Sequence, residues 1–211
     1  MLKEYLEDRG LSAVQTREPG GTQPGEEIRQ VLLNPDRSKL LYPETQALLF
    51  YAARTEFLRD VVKPNLEQGV TVVTDRFDAS TYVYQGYTQG VSGQLLDVLY
   101  RHIVIGSECK PDFYVILDIT AEESYLREAN ADNQGQDLVY ERQGLEFRRK
   151  LCEGYREYAR GYVTFAMMGD ASYAYTDATL IDGMRNKDII HREIVEMVDA
   201  RLKLREIIDK E

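Results

Sequence analysis

Short runs of apolar and β-branched residues alternate along the chain with longer stretches in which apolar positions recur every three or four residues. Four runs predict strands: Ala13–Arg17, Val70–Asp75, Phe113–Asp118 and Ser172–Thr176. Between 43 and 62, Ala47, Leu48, Phe50, Tyr51, Arg54, Phe57, Leu58 and Val61 fall at helical spacing, and Lys63-Pro64 is expected to end that helix. Two more long helices are expected over Gly144–Arg160 and Lys187–Ile208, the latter with Ile190, Ile194, Met197, Val198, Leu202 and Ile207 on one stripe. The chain opens on an amphipathic segment, Met1–Arg9, that leads through Gly10 into the first strand. Strands that alternate with crossover-length helices, one of them the continuous apolar run Val70–Val73, predict an α/β domain around a buried parallel sheet. No internal repeat or low-complexity tract interrupts it, so residues 1–211 are expected to form a single domain.

Composition narrows the function. The 36 acidic residues outnumber the 26 basic ones, giving a net charge of −10, which argues against a nucleic-acid coat or an anionic-membrane binder. A phosphorylated small molecule stays compatible with that charge, because a few placed arginines suffice to hold a phosphate. No apolar run reaches spanning length and no signal peptide is recognisable, so a cytoplasmic location with no membrane partner is expected. Cys109 and Cys152 lack metal spacing and are expected as free thiols. With only His102 and His191, a zinc site or a Ser-His-Asp triad has little to build on.

Ligands of open parallel sheets bind outside the carboxyl ends of the strands, and three of the predicted strands end there in charged clusters. These are Thr16-Arg17-Glu18-Pro19-Gly20-Gly21, Asp75-Arg76 and Asp118. An acid beside an arginine at a strand tip is chemistry suited to a hydrated Mg²⁺ and a phosphate, although the same pair also serves as a plain helix cap and surface ion pair. Phe50 and Arg54 stand four apart on one helix, so a ring that stacks a base and a guanidinium that donates to it point the same way. Thr81, Tyr84 and Gln85 would form one polar face if the stretch after Asp75-Arg76 is helical.

Taken in order, Thr16-Arg-Glu-Pro-Gly-Gly-Thr22, Gly25-Glu-Glu-Ile-Arg29, Glu44-Thr45 with Leu48-Leu-Phe-Tyr-Ala-Ala-Arg54, Asp75-Arg-Phe-Asp-Ala-Ser-Thr81 and Tyr84-Gln-Gly86 resemble the bacterial thymidylate kinases. Each motif is weak alone; the ordered set, from residue 1 to about 160, is specific. Pro111-Asp112-Phe113, Leu117-Asp118 and Thr176-Asp177-Ala178 match more loosely, and Tyr162–Tyr175 and Leu180–Lys187 read as local insertions. The resemblance implies a P-loop nucleoside-monophosphate-kinase-like three-layer α/β fold. It further implies transfer of the ATP γ-phosphoryl group to dTMP, with Mg²⁺, in a homodimer. Carried over residue by residue, Phe50 stacks on thymine, Arg54 donates to a thymine oxygen, and Ser80, Thr81 and Gln85 complete the substrate site. Tyr84 crowds the sugar 2′ position, Arg29 and Arg76 hold the monophosphate, and Glu18 lies near the nucleotide. Asp75 is placed by the metal-bound phosphates, and Arg76, Arg127 and Arg142 supply catalytic charge.

On the donor side the sequence departs from the family. It contains no G-x-x-x-x-G-K-[ST] loop, and the resemblance places that loop and a first, central strand before Met1–Arg9, so both are expected to be absent from this chain. The lid segment, about 127–142, carries four acids and no Lys or Arg between its flanking Arg127 and Arg142. Three readings therefore stay open: a thymidylate kinase, a non-catalytic deoxynucleotide binder, and a kinase for a different, 5-modified pyrimidine deoxynucleotide.

Overall fold

The computed structural model describes residues 1–129, 143–161 and 177–208, apart from the side chains of 128, 129 and 203–208. Its central layer is two parallel strand pairs. β1 (Ala13–Arg17) lies beside β2 (Thr71–Asp75), with Ala13 opposite Thr71 and Arg17 opposite Asp75. β3 (Phe113–Asp118) lies beside β4 (Asp177–Asp182), with Asp118 opposite Asp182. Around them run α1 (Leu2–Asp8), α2 (Gln23–Leu32), α3 (Pro35–Ser38), α4 (Pro43–Phe57), α5 (Lys63–Glu67), α6 (Asp78–Thr81), α7 (Gly93–Leu99), α8 (Ala121–Ala129), α9 (Leu145–Ala159) and α10 (Lys187–Ile208). π-helical turns cover Leu58–Val62, Tyr82–Thr88 and Tyr100–Ile105.

Side chains alternate across a strand, and here the alternation divides two cores. Val73 and Phe113 pack with Leu6 of α1 and Val198 of α10. Their neighbours Val72 and Tyr114 pack on the other side, into a larger cluster that includes Tyr51, Phe57, Tyr82, Leu96 and Tyr158. The result is three layers, helix–strand–helix. Because β2 and β3 contribute to both clusters, the two pairs share one layer, yet no backbone hydrogen bond joins them among the described residues. The resemblance expects one more strand between them, and the described residues do not include one. Coverage of the strands is correspondingly thin for a parallel sheet: only Ala13, Ile116 and Ile181 are fully buried in them.

Three of the four predicted strands match to within a residue. The fourth, Ser172–Thr176, lies outside the described residues; β4 runs over Asp177–Asp182, where Ala178–Ile181 supplies the β-branched and apolar residues that align with Tyr114–Leu117. Leu180–Lys187, read above as a local insertion, holds the end of β4, a turn and the start of α10. Of the second expected insertion, Tyr162–Tyr175, all lies outside the described residues. Pro64 does not end its helix. The path continues through a π-helical turn into α5, where Pro64 falls in the first turn.

α9 is seated on the Tyr82–Thr88 turn through a glycine. A Cβ at Gly154 would come within 2.9 Å of both Val83 Cγ1 and Tyr87 Cδ1, so no side chain fits without a shift of one element. Gly154→Val is expected to lower stability by about 1–3 kcal/mol through overpacking, read by chemical denaturation. Stability equal to that of the unsubstituted protein would show that α9 does not pack this closely.

Candidate active site

At the carboxyl end of β1 the chain turns into a loop that is braced at every step. Glu18 N donates to Asp75 O (3.0 Å), extending the ladder past the strand, and the Glu18–Pro19 bond is cis. Gly20 and Gly21 take φ of 139° and 80°, a region open to glycine, and a Cβ on Gly21 would stand 3.2 Å from both Thr16 Oγ1 and the Phe57 ring. Thr22 caps α2, its Oγ1 accepting from Gly25 N (3.0 Å), while Glu26 Oε1 accepts from Gly21 N (3.1 Å). Arg29 Nη1 donates to Pro19 O (2.9 Å), so α2 holds both ends of the loop.

The bracing delivers Glu18 to Arg54. Both side chains are 1% exposed, and Arg54 donates to Glu18 Oε2 from Nε (3.0 Å) and Nη2 (2.7 Å). Nη2 also donates to Thr81 Oγ1 (3.2 Å), and the guanidinium carbon stands 4.6 Å from the Tyr51 ring centre and 5.0 Å from that of Phe77. Two atoms of this buried pair, Arg54 Nη1 and Glu18 Oε1, have no hydrogen-bond partner among the described residues. Burial pushes the Glu18 carboxyl up to about 7, with Arg54 opposing. Asp78, wholly buried nearby and accepting from the Tyr114 hydroxyl, is also raised by burial, again opposed by Arg54.

β2 ends in strain. Arg76 takes φ 67°, a left-handed conformation that is rare for a residue with a side chain and costs on the order of 1–3 kcal/mol. Its Nη1 donates to Tyr84 Oη (3.4 Å), and its guanidinium lies 5.5 Å from the Tyr84 ring centre. Phe147 and Tyr155 flank that ring at 6.3 and 6.4 Å, and Tyr155 shares a 2.9 Å hydrogen bond with Ser80 Oγ. Gln85 Nε2 donates to Gln46 Oε1 (3.4 Å), and Gln46 in turn donates to the carbonyl of Leu41 (3.3 Å). Thus an amide relay runs from the start of α4 to the Tyr82–Thr88 turn.

These walls enclose a cavity of about 420 Å³, within the range of small-ligand pockets. Glu18, Arg29, Phe50, Arg54, Arg76, Ser80, Thr81, Tyr84, Gln85 and Arg127 all line it, so ten of the residues expected from the sequence are brought together. Arg127 is tied to Glu123 (2.7 Å) and to Gly183 O (3.0 Å). Asp75 is not among the lining residues; its side chain is exposed at the tip of β2. Asp118 is likewise engaged elsewhere, held by Arg156 Nε at 2.9 and 3.1 Å. Arg142 and most of the expected lid lie outside the described residues. Among the described residues no cluster of three or more His, Cys, Asp or Glu could hold a metal ion, and both cysteines are free.

The sequence reading missed the far wall: Ile119, Ser124, Arg148 and Leu151. A signal for Arg148 was present. With Leu151, Tyr155 and Tyr158 it occupies the inward stripe of α9, where an arginine is out of place unless something polar meets it.

A three-layer parallel α/β fold with a cationic, ring-walled cavity at its strand ends places the candidate site where open α/β sheets bind their ligands. A sequence model described as Thymidylate kinase matches residues 1–179. A thymidylate kinase of Pelotomaculum thermopropionicum is 36% identical over 203 residues, covering 96% of this chain and 88% of the relative. Those of Jannaschia sp. (41% over 173 residues; 81% and 79% covered) and Chlorobaculum tepidum (33% over 205; 94% and 88%) are similar as well. The chain belongs to the thymidylate kinase family. No helix among the described residues is long and apolar enough to cross a membrane.

The raised Glu18 carboxyl makes a pH prediction with a definite sign. A carboxyl at about 7 when folded holds its proton where the unfolded chain, with its ordinary value of 4.5, has released it. Its contribution to stability therefore falls as pH rises through that window and is constant above it. Denaturation between pH 5 and 8 should show Glu18→Gln gaining on the unsubstituted protein by roughly 1–3 kcal/mol as pH rises. A constant difference across that range would place the Glu18 carboxyl at an ordinary value.

Proposed function

We propose that the cavity binds dTMP and that the protein transfers the γ-phosphoryl group of MgATP to it, giving dTDP and ADP. The observation that carries this reading is the pairing of Phe50 and Arg54 on one wall, a ring beside a buried guanidinium whose Nη1 is unpartnered among the described residues. Thymine O4 is an acceptor that meets such a donor. The amino group of cytosine at the same place would leave two donors facing each other. Thr81 and Gln85 bound the base edge, Tyr84 limits room at the sugar 2′ position, and Arg29 and Arg76 take the monophosphate. In the transfer, a phosphate oxygen of dTMP bonds to the γ-phosphorus while the bond from that phosphorus to the ADP oxygen breaks. The protein's part is alignment and charge neutralisation. Mg²⁺ enters with ATP as part of the substrate and keeps most of its waters, so one exposed carboxylate, Asp75 at the β2 tip, fits its needs without an all-protein cage. The same reading takes the protein as a cytoplasmic homodimer, which sedimentation equilibrium tests.

One observation favours a second reading, deoxynucleotide binding without transfer: the expected lid carries four acids and no Lys or Arg between 128 and 141. Incubation with dTMP and MgATP, followed by product separation, distinguishes the two. Formation of dTDP supports the kinase, dTMP binding without turnover supports the second, and no dTMP binding contradicts both. Including dUMP and 5-modified pyrimidine deoxynucleotides in the panel tests whether dTMP is the preferred acceptor.

Arg76→Ala should weaken dTMP binding by about 1.5–3 kcal/mol while leaving thymidine binding unchanged; an equal effect on both would remove Arg76 from the phosphate site. Tyr84→Ala should narrow the gap in affinity between dTMP and its ribonucleotide counterpart by about tenfold. An unaltered gap would assign sugar selection to another residue.

A further inference from the structure

Steric exclusion is only as strong as whatever stops the excluding group from moving aside. On the reading above, Tyr84 limits room at the sugar 2′ position. A tyrosine ring free to swing into another rotamer would make way for a hydroxyl at little cost, and selection would be lost. Tyr84 belongs to the π-helical turn Tyr82–Thr88, a winding that recurs at functional sites. Its ring is met there by side chains of a different element, α9.

Phe147, Leu151 and Tyr155 stand four apart on one stripe of that helix. Phe147 meets the Tyr84 ring at 6.3 Å and 63°, and Tyr155 meets it at 6.4 Å and 79°, both edge-to-face. Tyr155 is itself fixed, since its hydroxyl shares the 2.9 Å hydrogen bond with Ser80 Oγ of α6. Gly154 lets the helix come this close, because a Cβ there would stand 2.9 Å from Val83 Cγ1, and Tyr158 packs against Tyr82 at 6.2 Å. From the β2 tip, the Arg76 guanidinium lies 5.5 Å from the Tyr84 ring centre and donates to its hydroxyl. Moving the ring would therefore break two ring contacts with α9 and loosen the guanidinium that takes the monophosphate.

We propose that Phe147 and Tyr155 are positioning residues for sugar selection: they hold the Tyr84 ring where it excludes a ribose 2′-hydroxyl, and they act through that ring rather than on the nucleotide. This rests on the cavity being a dTMP site with Tyr84 at the sugar. Phe147 and Tyr155 are not among the residues that line the cavity, which separates them from the groups placed to contact a ligand. Sugar selection is then a property of α9 as well as of the turn that carries Tyr84.

Calorimetric titration of the full chain with dTMP and with ribothymidine monophosphate, its ribonucleotide counterpart, tests this. Phe147→Leu and Tyr155→Leu should each narrow the affinity gap between the two nucleotides about two- to tenfold, the range one aromatic pair supplies, with dTMP affinity itself changed about twofold or less. Tyr155→Phe, which keeps the ring, should retain most of the gap, and Glu153→Gln, on the exposed side of α9, all of it. In a Tyr84→Ala background neither leucine substitution should alter the gap further, since both act through that ring. A gap unchanged in both leucine variants, equal losses for the two nucleotides, or a narrowing that persists without Tyr84 would overturn the proposal. Should one leucine variant not fold, the other decides by the same cycle. A gap that moves for Tyr84→Ala but not for the α9 variants refutes the positioning role alone. If Tyr84→Ala itself leaves the gap unaltered, or the unsubstituted protein binds neither nucleotide, the underlying reading has failed and the positioning role falls with it.

Discussion

A single ion pair, Glu18 with Arg54, ties together the elements that make the cavity. It joins the loop after β1 to α4, and through Thr81 it also reaches α6. Withdrawing two charges from water is expensive, and Coulomb attraction inside the protein offsets that only with good geometry and further hydrogen bonds. Here the geometry is two short bonds to one carboxylate oxygen, with two rings covering the guanidinium faces. The offset is incomplete, as the raised Glu18 carboxyl records. For the Glu18 carboxyl, burial outweighs the attraction of Arg54, and the pair holds the loop after β1 against α4.

What surrounds the pair follows from holding it. Glu18 reaches Arg54 because Gly20 and Gly21 let the chain fold back on itself, and because Arg29, Thr22 and Glu26 anchor α2 to that loop. Arg54 reaches Glu18 because α4 carries it one turn beyond Phe50, and the same turn sets the ring and the guanidinium on one wall. Arg54 Nη1 and Glu18 Oε1 are buried without a hydrogen-bond partner among the described residues, and the proposed function gives them one in a base edge. On the proposed reading, structural tie and base recognition are one arrangement. The strained backbone at Arg76, just past the end of β2, aims its guanidinium at Tyr84 of the Tyr82–Thr88 turn.

Local chemistry made most of this legible in the sequence. Ala13–Arg17 and Phe113–Asp118 are dense in β-branched and aromatic residues and lie between clear turn signals. Phe50 and Arg54 needed only helical spacing to be placed together, and Thr81, Tyr84 and Gln85 only a helical turn. Features that depend on partners distant in the chain were not legible. Asp177–Asp182 was not read as a strand, since its register with β3 is contained in no local window. Pro64 looked like a stop because a π-helical turn, invisible to a 3.6-residue period, brings it into a permissive first turn. Glu18 was expected at the site and lines the cavity, but its pairing with Arg54 spans 36 residues. Arg148 went unnoticed because it opens a basic triplet, 148–150, although its spacing with Leu151, Tyr155 and Tyr158 sets it apart from the next two.

The central claim is that the guanidinium tied to Glu18 also reads the base. The most direct measurement is the ratio of dTMP to dCMP affinity in the unsubstituted protein and in the Glu18→Gln/Arg54→Met double variant, which removes the pair without leaving a lone buried charge. The account predicts a preference for dTMP of about 10–100-fold that collapses towards unity in the double variant. A preference that survives the loss of both residues would contradict it and assign base selection to another part of the cavity.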